Sequence, residues 1–131
     1  MPSVDAQDAT PDPRVVVVTG ASAGIGFAVA ERRAAAGDRV VITGRSQETL
    51  AAALDRLGSG VGVAVDAGAP DAAGRVVAAA MDAYGRVDVI VANAAHIPPP
   101  GPLVRAEDED IDAVWRTNVA APLRLVRAAW A

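Results

Sequence analysis

The chain has 131 residues, 52% hydrophobic but only 3% aromatic, with a formal net charge of -4. That length suits one compact α/β domain whose core is built from Ala, Val, Leu and Ile. There is no Cys, and the single His, His96, cannot build a zinc cluster alone, so no metal site is expected. The acidic balance argues against a nucleic-acid binder, and no apolar run reaches membrane-spanning length.

Residues 1–13 are acidic and Pro-bearing, and they lack the basic and apolar regions of a signal peptide. They read as a disordered arm, with a cytoplasmic location as the default. Residues 14–19 contain Val15, Val16, Val17 and Val18, a β-branched run apolar on both faces, as a buried central parallel strand requires. A glycine-rich turn over 20–26 follows, then a helix over about 24–36 with Ile25, Val29 and Ala30 among its apolar positions. Gly37 stops that helix, where a left-handed residue is cheap. A second strand over 39–43 leads to a helix opening at Arg45 or Ser46 and running to Leu57, with Leu50, Leu54 and Leu57 at helical spacing.

The third strand covers 61–65 and closes on Asp66. A third helix covers about 70–83, with Pro70 tolerated in its first turn. A fourth strand covers 87–91, a Pro-rich loop 97–102, and a long helix with an acidic start 107–130, as the helix dipole prefers. The strand–helix alternation implies a parallel sheet with right-handed crossovers and helices on both faces.

The turn reads Thr19, Gly20, Ala21, Ser22, Ala23, Gly24, Ile25, Gly26. Gly20 permits a sharp exit from the strand, Gly24 removes a Cβ where backbone would meet phosphate, and Gly26 lets the helix pack close to the sheet. The helix N-terminus then aims unpaired N–H groups at an anion, which suits the pyrophosphate of a dinucleotide. An ordinary Gly-rich loop between strand and helix is the plainer alternative, and the flanking elements weigh against it.

The spacing Thr-Gly-x-x-x-Gly-x-Gly resembles the short-chain dehydrogenase/reductase family of NAD(P)-dependent oxidoreductases, and the likeness extends over nearly all of 14–131. The resemblance implies a Rossmann-type three-layer α/β sandwich with sheet order 3-2-1-4, ending before the fifth strand. It implies that Thr19, Gly20, Ser22, Gly24, Ile25 and Gly26 hold the cofactor, that Asp66 with Ala67 reaches the adenine, and that Asn93 and Ala94 steady the pocket. Asp66 at a strand end lies on the ligand-facing edge, although a turn or cap role is open to it. Ala92 and Ala95 depart from the family's Asn-Asn-Ala-Gly strand end. Asn118 falls at the family's catalytic Asn. Pro122 cannot donate to the Asn118 carbonyl, which either frees that carbonyl for a proton-relay water, as in the family, or merely kinks a surface helix.

Alignment places Gly44 where NAD-binding folds carry an acid on the ribose hydroxyls. Gly removes repulsion toward a 2′-phosphate, Arg45 can fork onto it, and Ser46 can add a hydroxyl, so NADP(H) is expected ahead of NAD(H). The family's proton transfer needs a Tyr and a Lys four residues apart and an upstream Ser. All 12 basic residues here are Arg, the only Tyr is Tyr84, and none of the Ser residues matches. The expectation is the cofactor-binding half of an enzyme acting on a small carbonyl or alcohol, inactive alone. A non-catalytic dinucleotide-binding or interaction module, or a truncated remnant, are the alternatives. The fourth strand is expected as an open, apolar edge, and Val114, Leu125, Val126 and Trp130 are expected to be exposed, so a homo-oligomer or a marginally stable chain follows.

Overall fold

The computed structural model describes residues 12–131; of the arm expected over 1–13, all but exposed Asp12 and Pro13 lies outside the described residues. Strand β1 (Val15–Val18) is fully buried along its whole length. It pairs in parallel with β2 (Arg39–Gly44) on one side, Val17 opposite Val41, and with β4 (Val89–Val91) on the other, Val17 opposite Ile90. β3 (Val61–Ala64) adds to β2, giving the expected order β3-β2-β1-β4.

The period-2 alternation of a strand divides the valines between two cores. Val15, Val17 and Val41 point into the layer of α3 (Ala72–Tyr84), meeting Val76 and Ala80. Val16, Val18, Val40 and Ile42 point into the layer of α1 (Gly24–Ala35) and α2 (Gln47–Leu57), meeting Phe27, Ala30, Leu50 and Ala53. Each fully buried side chain of this kind contributes about 1.5–3 kcal/mol. Ile25, an expected apolar position of α1, is instead 78% exposed, because Phe27 and Ala30 occupy the sheet-facing side.

β4 is shorter than the expected 87–91. The Asp88 carboxylate accepts the Val15 N–H at 2.8 Å and so occupies a ladder position with a side chain. β4 lies at the edge of the described sheet, as expected, and its three residues are half-buried. The Pro-rich loop is followed by a short 3-10 turn, Leu103–Arg105.

The long helix expected over 107–130 is three pieces: α4 (Asp108–Val114), a π-helical stretch (Trp115–Ala120) and α5 (Ala121–Trp130). The Ala121 N–H donates to the Arg116 carbonyl, five residues back. That shift takes the usual α-helical donor from the Thr117 carbonyl, and Pro122, which has no N–H, provides none to the Asn118 carbonyl. α5 packs on α3 and buries Leu125 to 4% exposure, against the expectation that it is exposed, and Val114 is half-buried. Val126 and Trp130 are exposed as expected, joined by Ile111, Trp115 and Leu123.

At the N-terminal ends of the strands two carboxylates are closed into networks. Asp38 accepts from the Arg14 N–H at 3.1 Å and Arg33 Nε at 2.6 Å. Burial alone would raise the Asp38 carboxyl, but the Arg33 and Arg14 bonds and the two guanidinium charges together hold it below the usual carboxylate value. The Val15 N–H, and then Arg86 at 2.6 Å, hold the Asp88 carboxyl low in the same way.

Candidate nucleotide site

The opposite end of the sheet is open. At the C-terminal ends of the strands a cleft of about 760 Å³ is lined by Gly20, Ser22, Thr43, Gly44, Arg45, Val65, Asp66, Ala67, Gly68, Asn93, Ala94, Ala95, His96, Ile97, Ala113, Arg116 and Thr117. Open parallel α/β sheets bind ligands at this edge, where the chain switches direction across the sheet. Here the switch lies at β1, between β2 and β4.

The turn after β1 is anchored on both sides. The Thr19 N–H donates to Val91 O at 3.0 Å and the Ala21 N–H to Thr43 O at 2.9 Å. The Gly20 N–H donates to Thr43 Oγ1 at 3.1 Å. Gly20 has φ +63°, and a Cβ there would meet Ala94 Cα at 2.9 Å, so both backbone sign and space require glycine. Gly26 is required by approach alone: its Cβ would meet Asn93 Nδ2 at 2.5 Å and Gly20 O at 2.6 Å. Asn93 Nδ2 donates to Thr19 O at 3.0 Å and to Gly20 O at 2.9 Å. Thr19 sits behind the cleft, where its Oγ1 accepts the Asn93 and Ala94 N–H groups at 3.1 Å each.

Gly24, Ile25 and Gly26 form the first turn of α1 rather than the cleft wall. That turn has no side-chain cap and no acidic residue. α2 differs: Ser46 Oγ accepts the Thr49 N–H at 3.3 Å, and Glu48 lies in the first turn. Ser46 therefore serves α2 as its cap. The first turn of α1 thus has no side-chain cap, while Ser22 and exposed Arg45 line the cleft. A Cβ on Gly44 would lie 3.2 Å from Ser22 Oγ, so an acid at that position would crowd the turn.

Asp66 follows β3, and its Oδ1 accepts the Gly68 N–H at 3.0 Å, which fixes the loop with Ala67 facing the cleft. Asn118 lies in the π-helical stretch and is turned toward the loop after β4. The His96 N–H donates to Asn118 Oδ1 at 2.7 Å, and Asn118 Nδ2 donates to His96 O at 3.0 Å. Its side chain thus clamps the loop, while its backbone carbonyl is the one whose α-helical donor is Pro122. Tyr84 lies on α3 at the closed end, with the Arg39 guanidinium 5.6 Å from its ring centre.

Thr43, Arg116 and Thr117 also belong to the site and were not singled out from sequence. Thr43 had a signal, being the one polar residue in the apolar run that follows exposed Arg39 in β2, and it is 2% exposed. Arg116 and Thr117 had none, since their position depends on the helix's irregular passage past the cleft.

Comparison with known proteins agrees with this geometry. The family model for short chain dehydrogenases matches residues 14–131. Tropinone reductase-like 3 from Erythroxylum coca is 32% identical over 120 residues, covering 88% of this chain and 46% of that protein. The solved L-sorbose reductase from Gluconobacter frateurii, complexed with NADPH and L-sorbose, superposes with a TM-score of 0.83 at 32% identity, over 90% of this chain and 46% of that one. A metagenomic short-chain oxidoreductase in complex with NADP gives a TM-score of 0.82 at 37% identity, over 88% and 54%. The chain spans about half the length of these relatives. With a parallel sheet of order β3-β2-β1-β4, a glycine turn opening α1 and a match from residue 14 to residue 131, this chain belongs to the short chain dehydrogenase family.

Proposed function

We propose that the cleft binds NADP(H) and that the chain provides the cofactor-binding portion of an oxidoreductase acting on a small-molecule carbonyl or alcohol. One observation carries this reading: the turn that leads into the uncapped α1 places Gly20 and Ser22 in the same cleft as Gly44, Arg45 and Asp66. The residues present fit the group. The first-turn N–H groups of α1 and Ser22 take the pyrophosphate, and Arg45 takes the 2′-phosphate across a Gly44 that repels nothing. Asp66 and Ala67 receive the adenine. Asn93 holds the turn in shape through its two carbonyl contacts.

When bound, the nicotinamide supplies or accepts the hydride exchanged with the substrate. Asn118 fixes the loop beside that end through His96, and its backbone carbonyl is available to hold a water. The chain contains no Lys, so the Tyr–Lys proton transfer that the family likeness calls for has to come from further polypeptide. Turnover is therefore expected only when such polypeptide is supplied. Arg45→Ala tests the cofactor assignment by titration with NADPH and NADH. Affinity for NADPH is expected to fall relative to NADH; an unchanged ratio refutes the role of Arg45.

A nucleotide-binding module that pairs with another chain is the second reading. The open β4 edge and the exposed Trp115, Leu123 and Trp130 favour it. Nucleotide binding without turnover, even with added polypeptide carrying the missing groups, would select it.

A further inference from the structure

We propose that Arg116 is a second cofactor contact, stacking its guanidinium on the purine face of the bound dinucleotide. This inference rests on the nucleotide reading of the cleft and deepens it.

Two cations line the cleft, Arg45 and Arg116, against a single carboxylate, Asp66. They come from opposite layers of the sandwich. Arg45 leads into α2, which packs with α1, whereas Arg116 leads into α5, which packs with α3. In a chain of net charge -4, two converging guanidinium groups concentrate positive charge at one place. Arg116 is exposed and makes no ion pair among the described residues.

The two arginines meet different parts of a ligand because they stand at different strands. Arg45 follows β2. Arg116 stands against the loop after β3: a Cβ on Gly68 would lie 2.8 Å from Thr117 Oγ1 and 3.6 Å from Arg116 Cβ. A dinucleotide with its pyrophosphate at α1 passes its ribose over the end of β2 and brings its base over the end of β3. Apolar Ala67 lines the cleft there, next to Asp66. A guanidinium at that place meets the base, and its planar, weakly hydrated surface stacks on aromatic rings as an ammonium does not.

The test is a calorimetric titration of the full chain with NADP+ and with NAD+, for the unsubstituted protein, Arg116→Ala, Arg116→Gln, Arg116→Lys and Arg45→Ala. Each Arg116 variant is expected to weaken both nucleotides alike, by roughly five-fold, because both carry the same adenine. Arg45→Ala is expected to weaken NADP+ selectively. The ligand-free melting temperature of the Arg116 variants is expected to stay unchanged, since no ion pair is lost. Undiminished affinity in Arg116→Ala overturns the inference, and so does a selective loss of NADP+, which would make Arg116 a phosphate reader. Full restoration of binding by Arg116→Lys also overturns it, because stacking would then be immaterial. If the unsubstituted chain binds neither nucleotide, the nucleotide reading fails first; if it binds both and only the Arg116 arm is silent, this inference alone fails.

Discussion

The two ends of the sheet treat charge in opposite ways. At the N-terminal ends of the strands, Asp38 and Asp88 accept backbone N–H groups of β1 and its approach, and Arg33 and Arg86 close each cluster. At the C-terminal ends, Arg45, Arg116 and Asp66 line the cleft without an ion pair among the described residues, and the first turn of α1 has no cap. The first arrangement satisfies polar groups internally and stabilises the fold. The second leaves them exposed in the open cleft, where the proposed nucleotide would meet them.

The largest effect is expected where the open end is built on closed backbone packing. Gly26→Val forces a side chain against Asn93 Nδ2 and Gly20 O, at a cost of about 3 kcal/mol. A thermal melt and a nucleotide titration should both register it; a variant that melts like the parent would show that α1 has room to move. Asn93→Leu follows, stranding the Thr19 and Gly20 carbonyls at a cost of about 2 kcal/mol, readable by urea unfolding. An unchanged midpoint would mean those carbonyls find other donors.

The closed end is tested by pH. Asp38 and Asp88 have folded-state carboxyls held below their unfolded value, so their stabilisation is fully present above the unfolded pKa of about 4. It is lost as pH falls through the lower folded value. The melting temperature should therefore drop steeply on the acid side, and Asp38→Asn should flatten that limb while lowering stability at neutral pH. An acid limb identical to that of the unsubstituted chain would contradict this. The smallest effect sharpens the contrast between arginines. Arg45→Ala removes no ion pair and should change ligand-free stability by less than about 0.5 kcal/mol, whereas Arg33→Ala opens the Asp38 cluster and should lower it measurably. Equal shifts for the two would erase the distinction between the ends.

Much of the fold is legible in the sequence because its signals are local. Four consecutive valines mark β1, the glycine spacing marks the turn, and Gly37 sits just past α1 with φ +91°, the left-handed stop its position suggests. The unread parts depend on partners distant in the chain. Thr43 is placed by a bond to Gly20 and Leu125 by the packing of α5 on α3, and Asn118, singled out by the family likeness, makes bonds to His96 that the sequence does not show. The apolar spacing over 107–130 fits one regular helix, whereas the shift of the Ala121 N–H to Arg116 splits it and brings Arg116 and Thr117 to the cleft. Pro122, beside the shifted Ala121 N–H, is visible in the sequence, but the helical register at residue 116 is not a periodicity signal.

The most direct test of the central claim, that the open end is the nucleotide end, is residue-resolved. Backbone amide resonances of the full chain are followed as NADPH is added. Shifts are expected at Gly24, Ile25 and Gly26, at Gly44 and Arg45, and at Ala67 and Gly68, with Asp38 and Asp88 unmoved. Shifts centred on Asp38 and Asp88, or none at saturating NADPH, would contradict it.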